Sequence, residues 1–109
     1  MILNENTMRE LKDILGDGFT ELVDTFLADA EKHVGYLEEF VCAGDLTALE
    51  RPAHALKGSS ANVGAMELMA AAAAIVTQCR SGQLVDPAGS VARVRACFEQ
   101  VAPLLVKLR

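Results

Sequence analysis

Apolar residues return at three- and four-residue steps along most of the chain, the spacing that lines one face of an α-helix. The longest series is Phe19, Leu22, Val23, Phe26, Leu27, Ala30, Val34, Leu37 and Val41. It predicts a helix capped by Asp17 and running to about Ala43, with Asp24, Asp29, Glu31, Lys32, Glu38 and Glu39 mostly on its other side. Ahead of it, Thr7-Met8-Arg9-Glu10 reads as a capping box, and Met8, Leu11, Ile14 and Leu15 form an apolar stripe that Gly16 ends. Gly44 closes the second helix and Asp45 opens a third, predicted over Leu46 to Val63 and stopped by Gly64. A fourth covers Met66 to Arg80 and ends at Gly82. Its run of alanines, Ala70 to Ala74, suits neighbours that approach closely. Asp86-Pro87 starts the fifth, an Asp cap followed by Pro at the first helical position. Val91, Val94, Phe98, Val101, Leu104, Leu105 and Leu108 then line its inner face. No segment sustains period-2 alternation, so the expected fold class is all-α: an up-down four-helix bundle with a short additional N-terminal helix as a lid. Two prolines fall within helices. Pro52 is expected to kink the third near Ala48, and Pro103 to do likewise near the end of the last.

Composition narrows the class. At 109 residues the chain is expected to be one domain, 1–109. Hydrophobic residues are 51% but aromatics only 5% and Trp is absent, so the core must be built from Leu, Val, Met and Ala. The net charge of −5 argues against nucleic acid or an anionic membrane surface as a partner. The opening residues lack a basic segment followed by an apolar one, so no secretory signal is expected. The longest apolar run, Leu68 to Val76, is about half a membrane span. Cys42, Cys79 and Cys97 are an odd number that fits reduced thiols better than a disulfide framework, and with the methionines they are expected to fill the core. The expectation is a soluble cytoplasmic monomer.

Most familiar chemistry is excluded by spacing. Gly16-Asp17-Gly18 has Glu21 where a dinucleotide fingerprint wants its third Gly, and no strand precedes it. There is no phosphate loop, no HExxH and no CxxC clip. A bundle di-iron site wants Glu-x-x-His on two helices, whereas Glu50 stands four residues before His54 and Glu31 two before His33. No metal ligand set is therefore assigned.

The segment Arg51 to Gly64 remains. On a helical wheel, Leu49, Pro52, Ala53, Leu56, Ser60 and Val63 gather on one side and carry the core contacts. Thr47, His54, Lys57, Gly58 and Ala61 gather opposite, with Glu50 and Arg51 flanking. His54 should therefore point into water midway along an exposed face. Gly in a helix interior costs about 0.5–1 kcal/mol relative to Ala, and the wheel puts Gly58 away from any packing that would explain it. Gly58 instead clears space beside an imidazole, and Ala61 is small for the same reason. Lys57, one turn on, and Arg51, one turn before, place cations where phosphate oxygens can sit. Access, clearance and positive charge are what an imidazole needs to accept a phosphoryl group from a bulky donor.

His54-x-Leu56-Lys57-Gly58-Ser59-Ser60 followed by Gly64-Ala65 resembles the signature of histidine phosphotransfer (HPt) domains, the intermediate carriers of multistep phosphorelays. The resemblance spans essentially the whole chain and, with no room for a kinase core or receiver, fits a free-standing carrier. It implies that His54 is the phosphoacceptor through its outer ring nitrogen, that Lys57 neutralises the phosphoryl oxygens, and that Gly58 admits the partner's active site. Leu56, Ser60 and Gly64 match as structural positions. The implied partners are response-regulator receiver domains and hybrid sensor histidine kinases. The receiver is implied to bring Mg²⁺, so the chain needs no cofactor of its own and is a carrier rather than an enzyme. One departure is visible: many family members place a Gln on the following helix beside the acceptor, and here Val76 holds that register, with Gln78 two residues later pointing elsewhere. His33, among Glu31 and Lys32, has no matching Gly or cation pattern and is read as an ordinary surface histidine. Two other classes stay open: a docking or sequestering module for a receiver that accepts no phosphate, and a structural assembly subunit.

Overall fold

The computed structural model describes residues 2–109. Five α-helices follow in order: α1 (Glu5–Leu15), α2 (Gly18–Ala43), α3 (Glu50–Asn62), α4 (Met66–Ser81) and α5 (Pro87–Leu108). A 3₁₀ turn, Leu46–Leu49, leads into α3. α2 packs on α3 and α5, and α4 packs on the same two, so the four long helices close a ring around one core. At 1.5 Å per residue α2 spans about 39 Å, close to the molecule's 42 Å long axis. The all-α bundle expected from the pattern is the fold found.

The core is where periodicity put it. Val23, Val34 and Leu37 of α2, Leu56 of α3, Ile75 of α4 and Val94 and Leu105 of α5 have no measurable exposure. Each of the six wheel positions assigned to the inner side of the third helix is buried. Ser60 is the one buried polar side chain among the described residues, and its hydroxyl has no partner there.

Several local expectations are corrected. The first helix begins earlier, with Asn4 as its cap: the Asn4 side chain accepts from the Thr7 amide, so Thr7 is inside the helix. Of the predicted stripe Met8 is buried and Leu11 half-buried, but Ile14 is 78% exposed and Leu15 also faces solvent, because α1 lies against the bundle only along its first turns. Asp17 stands at the cap position of α2 without a side-chain cap bond. The third helix is not continuous from Leu46. The chain turns as 3₁₀ to Leu49 and becomes α-helical at Glu50, which puts Pro52 in the first turn of α3, where its missing N–H is one of the orphans anyway. The kink expected near Ala48 is thus a change of helix type just ahead of the proline. α5 runs on through Pro103, and its Leu104 and Leu108 are exposed at the groove beneath α1 rather than in the core. Cys97 is buried, Cys79 is half-buried and packs against the core, and Cys42 is exposed, so of the three only Cys42 departs from the expected core role.

The bend between α3 and α4 is fixed twice. Gly64 has φ +72°, a conformation that costs any other residue, and a Cβ there would stand 3.1 Å from the Thr7 Cβ. Its carbonyl accepts from the Asn4 amide at 2.8 Å, which ties the start of α1 over this end of the bundle as a lid.

Across α2 and α5, Arg95 forks between two carboxylates, 2.6 Å from Glu38 and 2.9 Å from Glu31. The hydrogen bond from Arg95 lowers the Glu38 carboxyl below its ordinary value, against a smaller opposing effect of burial. A carboxyl lowered on folding adds stability above its unfolded value near 4.5 and loses it as pH falls through the folded one. Arg95→Leu is therefore expected to lower the melting temperature at pH 7 and to make it less pH-dependent below pH 5. The pair is partly exposed, so the effect is about 1 kcal/mol or less. Thermal melts of both chains from pH 7 to pH 3 check this.

Candidate functional site

α3 has a buried side and a solvent side, and the candidate residues share the second. Thr47, Arg51, His54, Gly58 and Ala61 are exposed there and Lys57 is half-buried. This is the arrangement the wheel predicted. Side chains on a helix lean toward its N-terminus, so Lys57 and position 58 overlie the turn that carries His54. Gly58 has nothing within 4 Å of where a Cβ would stand. No close packing inside the bundle explains it.

His54 opens onto a groove of about 850 Å³ lined also by Thr47, Glu50 and Arg51 from the start of α3 and its 3₁₀ lead, and by Cys79, Arg80, Gly82 and Leu84 from the end of α4. The antiparallel packing of α3 on α4 brings those ends together. Among the described residues no group hydrogen-bonds the His54 ring. Arg80 reaches across from α4 and faces Glu50, with Nε 3.8 Å from Oε1. Partial burial raises the Cys79 thiol above its ordinary range, and the Glu50 charge raises it further. That shift disfavours a reactive thiolate.

On the other flank of Arg51 lies a second, more apolar groove. Pro52 and Ala55 of α3 and His33, Tyr36 and Phe40 of α2 line it, with Thr47 and Ala48. Tyr36 stacks on Phe40 at 6.3 Å, and His33 meets Tyr36 edge-on at the same distance. The ring of His33 is held at Nδ1, 2.7 Å from the Asp29 carbonyl. His33 therefore belongs to an aromatic wall beside the exposed face of α3, a place that reading it alone on its helix did not reveal.

Reasoning from sequence also missed Arg80 and Cys79. The available signal was topological: in an up-down bundle the last turn of the fourth helix must neighbour the first turn of the third. Neither Val76, read as holding the register beside the acceptor, nor Gln78 lines the His54 groove. Val76 is in the core, and the Gln78 amide oxygen is buried without a partner among the described residues.

A helical bundle carrying one exposed imidazole, cleared by a glycine and flanked by cations, defines a class of phosphoryl-carrying domain. The Hpt domain family matches residues 21–103, and the chain belongs to that family, the histidine phosphotransfer domains of phosphorelays. The phosphorelay protein LuxU of Vibrio harveyi is 34% identical over 86 residues, which are 78% of this chain and 75% of LuxU. The crystal structure of histidine-containing phosphotransfer protein B (HptB) from Pseudomonas aeruginosa PAO1 matches with a TM-score of 0.92 at 28% identity, over 97% of this chain and 92% of that one. Among the described residues no helix is long and apolar enough to cross a membrane.

Proposed function

We propose that His54 is the phosphoacceptor, taking a phosphoryl group from the phosphoaspartate of a response-regulator receiver domain and passing it to another receiver. The observation that carries this reading is the solvent face of α3, where His54 stands exposed beside Gly58, whose missing side chain nothing inside the protein requires. In its neutral form the outer ring nitrogen of His54 attacks phosphorus in line. The N–P bond forms as the O–P bond to the aspartate breaks, and that electron pair returns to the carboxylate. Positioning and charge neutralisation are most of what such a transfer asks. Lys57 and Arg51 supply cations at the phosphoryl oxygens, while Gly58 and Ala61 leave room for the receiver's rim. Mg²⁺ comes with the receiver; the chain holds no cofactor and acts as a carrier, not an enzyme with its own turnover. The wall of Tyr36, Phe40, Pro52 and Ala55 suits the apolar part of a modest, transient docking surface. Residues 1–109 act as one unit, a cytoplasmic monomer whose upstream partners are hybrid sensor kinases.

Incubation with a phosphorylated receiver, followed by intact mass, tests the reading. One added phosphate that is lost in acid is the expected result. Tight receiver binding with no gain of mass would overturn it in favour of a docking or sequestering module.

A further inference from the structure

Resting on the reading of His54 as acceptor, we infer that Arg80 is a positioning residue for the phosphorylated state: Glu50 holds it before transfer, and it moves to the phosphoryl group once His54 is loaded.

The groove beside His54 contains two guanidiniums, Arg51 and Arg80, and one carboxylate, Glu50. A phosphoryl group brings about two negative charges and three acceptor oxygens into that space. Glu50 then becomes a like-charged neighbour and Arg80 a potential partner. The Arg80–Glu50 contact is loose enough to exchange. Its 3.8 Å exceeds the 2.7–2.9 Å typical of a charge-assisted hydrogen bond, and the two side chains are 58% and 41% exposed. Such a pair stabilises little, whereas a guanidinium fork matches phosphate oxygens geometrically. Arg51 shares its helix with His54. Arg80 comes from α4 and alone of the groove's cations starts paired with an acid, so its availability depends on Glu50. Cys79 lines the same groove, and its thiol is raised first by burial and then by the Glu50 charge.

Glu50 therefore sets how long phospho-His54 lasts. In its hydrolysis water attacks phosphorus, the N–P bond breaks with its electron pair returning to the imidazole, and inorganic phosphate leaves. A guanidinium on the phosphoryl oxygens ties the group down and shields it; a carboxylate in competition for that guanidinium removes the protection.

The test needs no receiver. His54 is loaded with phosphoramidate in a His33→Gln background, so that it is the sole histidine of the chain. The N–P bond to His54 forms as the reagent's P–N bond breaks and ammonia leaves. Loss of the phosphate is followed by intact mass. Arg80→Gln is expected to shorten the half-life about two- to fivefold and Glu50→Gln to lengthen it by a similar factor. Arg80→Lys should recover part of the loss, and salt at about 1 M should shrink all the differences. Glu50→Gln should do less in the Arg80→Gln background than in the starting chain, because its main effect is to free Arg80. Equal half-lives in all loaded variants, or strictly independent steps, would overturn the inference and leave the acceptor reading standing. Failure of His54 to load at all would overturn both.

Discussion

His54→Ala is expected to remove phosphate acquisition completely while leaving the bundle as stable as before. The reacting nitrogen is gone, and in-line transfer has no substitute for its nucleophile. Nothing else should be lost. The ring is exposed and makes no hydrogen bond among the described residues, and Ala is a better helix former than His. A surface change of this kind stays within about 0.5 kcal/mol, or about 2–4 °C in melting temperature for a domain of this size. The variant keeps His33 as its remaining histidine, so any residual acid-labile phosphate measures what His33 contributes. That contribution is expected to be nil in receiver-dependent transfer, since the His33 Nδ1 is engaged with the Asp29 carbonyl and its ring packs edge-on against Tyr36. Intact mass after exposure to a phosphorylated receiver, alongside a thermal melt, reads both halves. Phosphate at the starting level, or a collapsed melt, would contradict the assignment.

The parts legible in the sequence are those governed by burial. Period-3.6 spacing placed every long helix, and the wheel of the third separated Leu49, Pro52, Ala53, Leu56, Ser60 and Val63 from His54, Gly58 and Ala61 as the structure does. Burial repeats along a helix and leaves a record at each turn. What stayed illegible lacks such a record. Whether Asn4 or Thr7 caps α1 is a choice between two polar side chains three residues apart, and it is the Asn4 side chain that accepts from the Thr7 amide, while the Asn4 backbone amide bonds the distant Gly64 carbonyl. The 3₁₀ turn at Leu46–Leu49 keeps the same apolar faces as an α-helix, so periodicity cannot separate them, and Pro52 was misplaced in consequence. Ile14, Leu104 and Leu108 fit amphipathic stripes but lie where those stripes outrun the core. The site divides in the same way. His54, Lys57, Gly58 and Arg51 sit on one helix and read together. Arg80, Tyr36 and Phe40 enter from other helices, and only packing brings them beside α3.

Gly58→Leu is expected to separate stability from function in opposite directions. Gly58 is helical, has no positive φ, and has open space around its missing Cβ. A side chain fits there without strain, and relief of the glycine penalty raises stability by about 0.5–1 kcal/mol, which for a domain of this size is a rise of about 2–8 °C in melting temperature. Transfer should respond in the other sense. A leucine at 58 leans back over the turn that carries His54 and occupies the space a receiver must enter to bring its phosphoaspartate in line. Because displacement of reacting groups by about 1 Å can cost a hundredfold in rate, receiver-dependent transfer should fall by at least about that factor, with Gly58→Ala in between. Loading by phosphoramidate, a reagent small enough to pass the leucine, should change little. That contrast distinguishes obstruction of a docking protein from damage to the imidazole. A Gly58→Leu chain that took phosphate from a receiver at the unmodified rate would mean that the clearance beside His54 serves no partner. A chain that lost chemical loading to the same extent would place the fault at the ring itself.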